Sequence, residues 1–170
     1  MRLIALSLLA SACARPYVLP EAVSDSAVRE TRDVRYYGVT AGKNGSRGSA
    51  LTTWDVQYDY ATIEDDRGCR LQRPHVALTI RQSLPSALAS DPAVDLPLLY
   101  GVDVLLKHED GHLRIDRAGA HGLADALRSV APQPNCNALM EAAQKAARRA
   151  VAECKASNDA YDAFTRHGTN

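Results

Sequence analysis

The chain has 170 residues, 46% of them hydrophobic, which is enough apolar material for one domain with a single core. Its 20 Lys+Arg balance 20 Asp+Glu, and loss of an N-terminal segment carrying only Arg2 leaves 19 against 20. That balance excludes an electrostatic case for nucleic acid or an anionic membrane face, so partners have to be read from a site. Met1 to Ala14 reads as a signal peptide: Arg2 is the positive start, Leu3 to Leu9 is an apolar run, and small residues lead to Cys13. The run falls short of the roughly 18–20 residues that span a bilayer. Ala12-Cys13-Ala14 fits cleavage before Arg15, whereas Leu9 to Cys13 resembles a bacterial lipobox with Cys13 as the lipidated residue, although Ala10 stands where leucine is usual. Either route exports the mature protein to the periplasm, as a possible outer-membrane lipoprotein, or beyond the cell.

Residues 15–33 contain two prolines and mixed charges and read as a tether. Val34 to Thr40 is rich in β-branched and aromatic residues and predicts a first strand. Gly42, Gly45 and Gly48 mark a loop. From Thr52 to Tyr60 the alternation has a period of two, with Trp54, Val56, Tyr58 and Tyr60 on one face, as in a half-buried antiparallel strand. Cys69 to Ser83 predicts a third strand with Val76, Leu78 and Ile80 inward, and three successive strands suggest a meander. Leu84 to Pro97 reads as a connector, with a helix starting near Pro97 and stopped by Pro132 and Pro134. Asn137 to about Arg166 is rich in Ala, Lys, Arg and Glu and predicts a second long helix, ended by Gly168. The predicted class is α+β: a small antiparallel sheet of about three strands, then two long helices.

Cys69, Cys136 and Cys154 remain after processing, and an oxidising compartment permits a bridge. Cys136 and Cys154 lie 18 residues apart on one predicted helix, about 27 Å along its axis. A bridge needs Cα atoms within about 7 Å. Cys69 therefore pairs with one of them, and Cys136, at the helix start, is the choice. Cys154 is left as a thiol, more suited to burial than to reaction.

His108-Glu109-Asp110-Gly111-His112 spells H-E-x-x-H within the first predicted helix. Positions four apart share a helix face, so the two imidazoles can converge on one zinc ion while Glu109 serves as general base without ligating. A hydrolytic zinc needs a third protein ligand. His121, nine residues after His112, points away unless the helix breaks near Gly119. Asp116 is on the right face but nearly collinear. Glu141 on the second helix and His75 in the third strand have no local support. The elongated metzincin motif is excluded, because Ile115 and Ala118 stand where it needs glycine and histidine. His167 remains, near the end of the second helix, where a solvated terminal histidine is the plain alternative.

The chain resembles a bacterial family of predicted secreted zinc-dependent proteases. The resemblance runs from Tyr36-Tyr37 through Thr52-x-Trp54, a cysteine-opened strand closing on Leu84-Pro85, H-E-x-G-H at 108–112, and Cys136, to Tyr161-Asp162-x-x-Thr165-x-His167-Gly168. It implies a zincin-like active-site helix in a zinc-peptidase-like domain over residues 34–170. His108, His112 and His167 would hold Zn2+, Glu109 would be the base, and Cys69 would pair with Cys136. Two features differ: the stretch between Tyr37 and Trp54 is shorter, and no tryptophan follows Leu84-Pro85. On this reading Tyr161 or Arg166 supplies a further donor to the developing oxyanion, and Asp162 orients a histidine or caps the helix. The expected function is a secreted or envelope-anchored peptidase acting on peptide or protein substrates, without nucleic acid. Membrane contact is expected only through a lipid on Cys13. Amidase action on peptidoglycan uses the same ligands, and the non-enzymatic alternative is a metal-binding envelope lipoprotein serving an assembly partner.

Overall fold

The computed structural model describes residues 27–39, 49–87 and 92–168. The predicted signal peptide, Cys13, most of the tether and the Gly42–Gly48 loop lie outside the described residues. Three strands, β1 (Val28–Val39), β2 (Leu51–Asp65) and β3 (Gly68–Ala87), precede two helices, α1 (Pro92–Arg128) and α2 (Cys136–Thr165). This is the α+β class, three strands and then two helices. None of the described helices is long and apolar enough to cross a membrane.

The sheet is mixed rather than a meander. Its order is β1-β3-β2, with β2 antiparallel and β1 parallel to β3. The central place goes to the strand with the most complete apolar row: Val76, Leu78, Ile80 and Leu84 of β3 are all buried. β1 alternates poorly and carries Arg29, Glu30, Arg32, Asp33 and Arg35, which suits an edge. It also begins at Val28, inside the stretch read as tether, because Ala27 already accepts from the Val76 amide and starts the pairing. β2 keeps its period of two, with Thr52, Trp54 and Val56 half-buried and their neighbours exposed.

α1 starts at Pro92 rather than near Pro97. Pro92 takes the first helical position, where its missing N–H costs nothing. Leu113, Ala120, Leu123, Ala124 and Leu127 of α1 meet Val76, Leu78 and Ile80 of β3 in the main core. Burying each large apolar side chain of this kind contributes roughly 1.5–3 kcal/mol. α2 opens on Asn135, whose side-chain oxygen accepts from the Ala138 amide at 2.9 Å. Its buried stripe of Leu139, Ala143, Ala147, Ala150, Cys154 and Tyr161 recurs at helical spacing and is mostly small, so the two helices come close.

Cys69 and Cys136 form a disulfide with Cα atoms 5.0 Å apart, and Cys154 is a buried free thiol. The bridge pins the start of α2 to the start of β3, where Cys69 and Gln133 also exchange backbone hydrogen bonds of 2.8 and 2.9 Å. It closes a loop with a sequence separation of 67. Replacing both cysteines by serine should lower the unfolding free energy by about 4 kcal/mol in the chain-entropy account, read as a lower urea midpoint against the oxidised wild type.

Candidate metal centre

The centre lies between two facing polar stripes. On α1, His108, His112 and Asp116 recur every four residues; on α2, Asn158, Asp162 and Thr165 are spaced by four and three. The helices run antiparallel, so Thr165 meets His108, Asp162 meets both histidines, and Asn158 meets His112 and Asp116. Each side chain is thus carried by a rigid element.

The hydrogen bonds fix both imidazole tautomers. The Thr165 hydroxyl donates to the Tyr161 carbonyl at 2.8 Å, so its oxygen accepts from His108 Nδ1 at 3.0 Å. Asn158 Nδ2 donates to Asp116 Oδ1 at 2.9 Å, so Asn158 Oδ1 accepts from His112 Nδ1 at 2.6 Å. Each Nε2 is left with a lone pair and no proton. These two nitrogens face each other at 3.1 Å, and Asp162 Oδ1 lies 3.0 Å from His112 Nε2 and 3.2 Å from His108 Nε2. Three acceptors converge with no hydrogen among them. Only an added proton or a cation reconciles them, and burial together with the neighbouring His112 lowers the pKa of His108, which disfavours the proton.

A tetrahedral cation with ligand distances of about 2.0–2.1 Å holds its donors about 3.3 Å apart. The observed separations come within a few tenths of an ångström of that figure. His108, His112 and Asp162 are therefore a possible metal-binding triad. Their tautomers are held by Thr165 and Asn158, as metal-ligating histidines require.

Glu109 is 4% exposed and one residue round the helix from His108. Thr52 of β2 donates its hydroxyl to Glu109 Oε2 at 2.5 Å. Burial raises the Glu109 pKa, while this hydrogen bond opposes the rise. Both histidines, Glu109, Asp162, Thr52 and Trp54 line one cavity of about 560 Å³. A larger groove of about 840 Å³ between the helices is lined by small residues such as Ala118, Gly119 and Ala146, and contains none of these groups.

His167 reaches the same cavity from beyond α2. Its Nδ1 is 3.5 Å from Asp162 Oδ1, and its side chain is 79% exposed. Arg166, His167 and Gly168 all have positive φ, of 48°, 53° and 71°. This left-handed curl sets Gly168 against the His108 side chain, where an added Cβ would come within 3.1 Å of the His108 Cβ and 3.2 Å of the ring Cγ. Tyr161 is buried and does not line the cavity. Its ring stacks on His108 at 5.1 Å and meets His112 edge-on at 5.2 Å. A Cβ on Gly111 would overlap the Tyr161 phenol, so glycine there gives that ring its place.

A family model, DUF922, described as a bacterial protein of unknown function, matches residues 22–168. This chain belongs to that family. No curated protein and no solved structure matches it.

Of the residues singled out in the sequence of this DUF922 member, His108, Glu109 and His112 meet at the centre. Asp162, expected to orient a histidine or cap the helix, groups with the two histidine Nε2 atoms, and His167 touches that group through Asp162 Oδ1. α1 runs unbroken through Gly119, which keeps His121 away. Glu141 is exposed on α2, and His75 sits opposite Asp59 in the sheet. Asp116 backs Asn158 rather than joining the triad. Asn158 was missed and Thr165 entered only as part of the closing motif, although with Asp162 they share one face of α2 as the three α1 residues share one face of α1. Thr52 appeared only as part of a strand motif.

Asp116 is 1% exposed, its Oδ2 has no partner, and burial pushes its pKa from 3.8 up to about 6. A carboxyl with a raised folded-state pKa holds its proton longer when folded. The Asp116 contribution to stability is therefore fully present below about pH 4 and is lost as pH rises through about 6, by roughly 3 kcal/mol. In chelator, Asp116→Asn should be more stable than wild type at pH 8 and equal to it near pH 4, measured by urea unfolding. A stability difference that does not change with pH would refute this.

Proposed function

We propose that the protein is a zinc-dependent peptidase of the bacterial cell envelope, hydrolysing peptide bonds of peptide or protein substrates with Glu109 as general base. The observation that carries this reading is the meeting of three proton-free acceptors beside a buried carboxylate in one open cavity. A His₂-carboxylate donor set suits zinc, and three protein ligands with a fourth position open is the arrangement of hydrolytic rather than structural sites. When bound, zinc would polarise a water and the substrate carbonyl.

The protein groups divide the remaining tasks. His108, His112 and Asp162 hold the ion, with His167 the next donor outward. Glu109 is placed to take a proton from the attacking water and hand it to the leaving amine. Burial, by raising its pKa, makes Glu109 the more basic towards that proton. Tyr161 supports the reading as packing that sets the two imidazoles nearly at right angles, 88° between planes. Export, with a possible lipid on Cys13, is supported by the Cys69–Cys136 bridge, since such bridges persist in oxidising compartments.

The purified mature protein should carry about one zinc per chain. His112→Ala and Asp162→Ala should lose most of it, and His167→Ala should keep a larger share, measured by elemental analysis after mild chelation. Glu109→Gln should keep the zinc and lose roughly 10²–10⁴-fold in peptide cleavage. A zinc-loaded Glu109→Gln protein with wild-type cleavage would remove the peptidase assignment. Absence of cleavage in both, with zinc bound, would point to a non-catalytic metal-binding lipoprotein, and a panel including cell-wall fragments separates peptidase from amidase.

A further inference from the structure

β3 turns Val76, Leu78, Ile80, Gln82 and Leu84 towards the helices, and all five are buried. Gln82 alone in that row is polar, and its amide must find partners or cost free energy. It finds them on both sides. Arg32 of β1 donates to Gln82 Oε1 through Nε at 2.9 Å and through a terminal nitrogen at 2.5 Å. Gln82 Nε2 donates to Thr52 Oγ1 at 3.0 Å, and Thr52 donates to Glu109 Oε2 at 2.5 Å. The register makes this possible: Thr52 stands directly opposite Gln82, and Arg32 pairs with Ile80, two residues away on the same face.

The direction of the chain is dictated by its ends. A guanidinium can only donate and a carboxylate can only accept. Arg32 therefore forces the Gln82 oxygen towards itself and the amide hydrogens towards Thr52. With its oxygen accepting from Gln82, the Thr52 hydroxyl is turned to give its hydrogen to Glu109. An apolar residue at 82 would fill the row as well as its neighbours do, so packing does not explain the amide.

We propose that Arg32, Gln82 and Thr52 are positioning residues: a one-way hydrogen-bond chain, crossing the whole sheet from the β1 edge, that holds the Glu109 carboxylate in its working orientation. This rests on the peptidase reading above for the role of Glu109, and concerns its orientation. Gln82→Glu is the decisive variant. It keeps the shape and the Arg32 contact, but an ionised carboxylate has no hydrogen for Thr52, whose hydroxyl then turns to residue 82.

Gln82→Glu and Thr52→Val should each lower kcat by about 10- to 100-fold, with KM and zinc content unchanged. Thr52→Ser should stay within about threefold of wild type, since it restores the hydroxyl. Crystal structures of the zinc-loaded proteins give a second readout: Glu109 Oε2 should remain on residue 52 in wild type and Thr52→Ser, and leave it in the other two. A Gln82→Glu protein with wild-type kcat, or with Glu109 unmoved, overturns the proposal. If wild type cleaves no peptide, the peptidase reading fails by itself, and the position of Glu109 in Gln82→Glu alone decides whether the chain holds it.

Discussion

The mutual approach of His108 Nε2, His112 Nε2 and Asp162 Oδ1, at 3.0–3.2 Å, is the constraint that the two helices are built to sustain. Lone pairs at that range repel, and burial strengthens the repulsion because little water remains to screen it. Something else must hold α1 against α2. The α1–β3 core and the disulfide at the far end of α2 supply that hold. The fold thus sets the distances at which the three acceptors meet.

Close approach of the helices is the second requirement, and small residues provide it. At Gly111 and Gly119, a Cβ on α1 would run into Tyr161 and Cys154 of α2. The same closeness lets short side chains span the gap: Thr165 to His108 and Asn158 to His112. With a wider spacing these contacts would need longer, more mobile side chains, and the tautomers would no longer be fixed. The buried Cys154 thiol, whose pKa burial pushes up to about 12, fits a packing role at this seam.

The two tasks of the proposed site are anchored in different layers. Metal-facing groups are held by helix–helix contacts, through Thr165, Asn158 and Asp116. Glu109 is held from the sheet, through Thr52. A helix placed between a sheet and a second helix can present neighbouring residues to both, since one step along it turns about 100°. This division explains why His108 and Glu109, adjacent in sequence, have separate supporting networks.

Local patterns in the sequence determined the element types and the H-E-x-x-H helix, and excluded a bridge between Cys136 and Cys154. Each depends on periodicity or on distances along one element, which the chain order itself contains. The order of the strands did not follow, because a run of β-branched residues says that a strand forms and not which neighbour it takes. β1 joined β3 in parallel once the most apolar strand had claimed the centre. The grouping of Asp162 with the histidines, and the outer place of His167, depend on where α2 lies along α1 and how its end curls. That is a matter of helix packing. The link from Arg32 to Glu109 joins residues 77 positions apart through three strands and a helix; in the sequence only a glutamine interrupting an apolar row marked it, and tertiary structure alone supplied its partners.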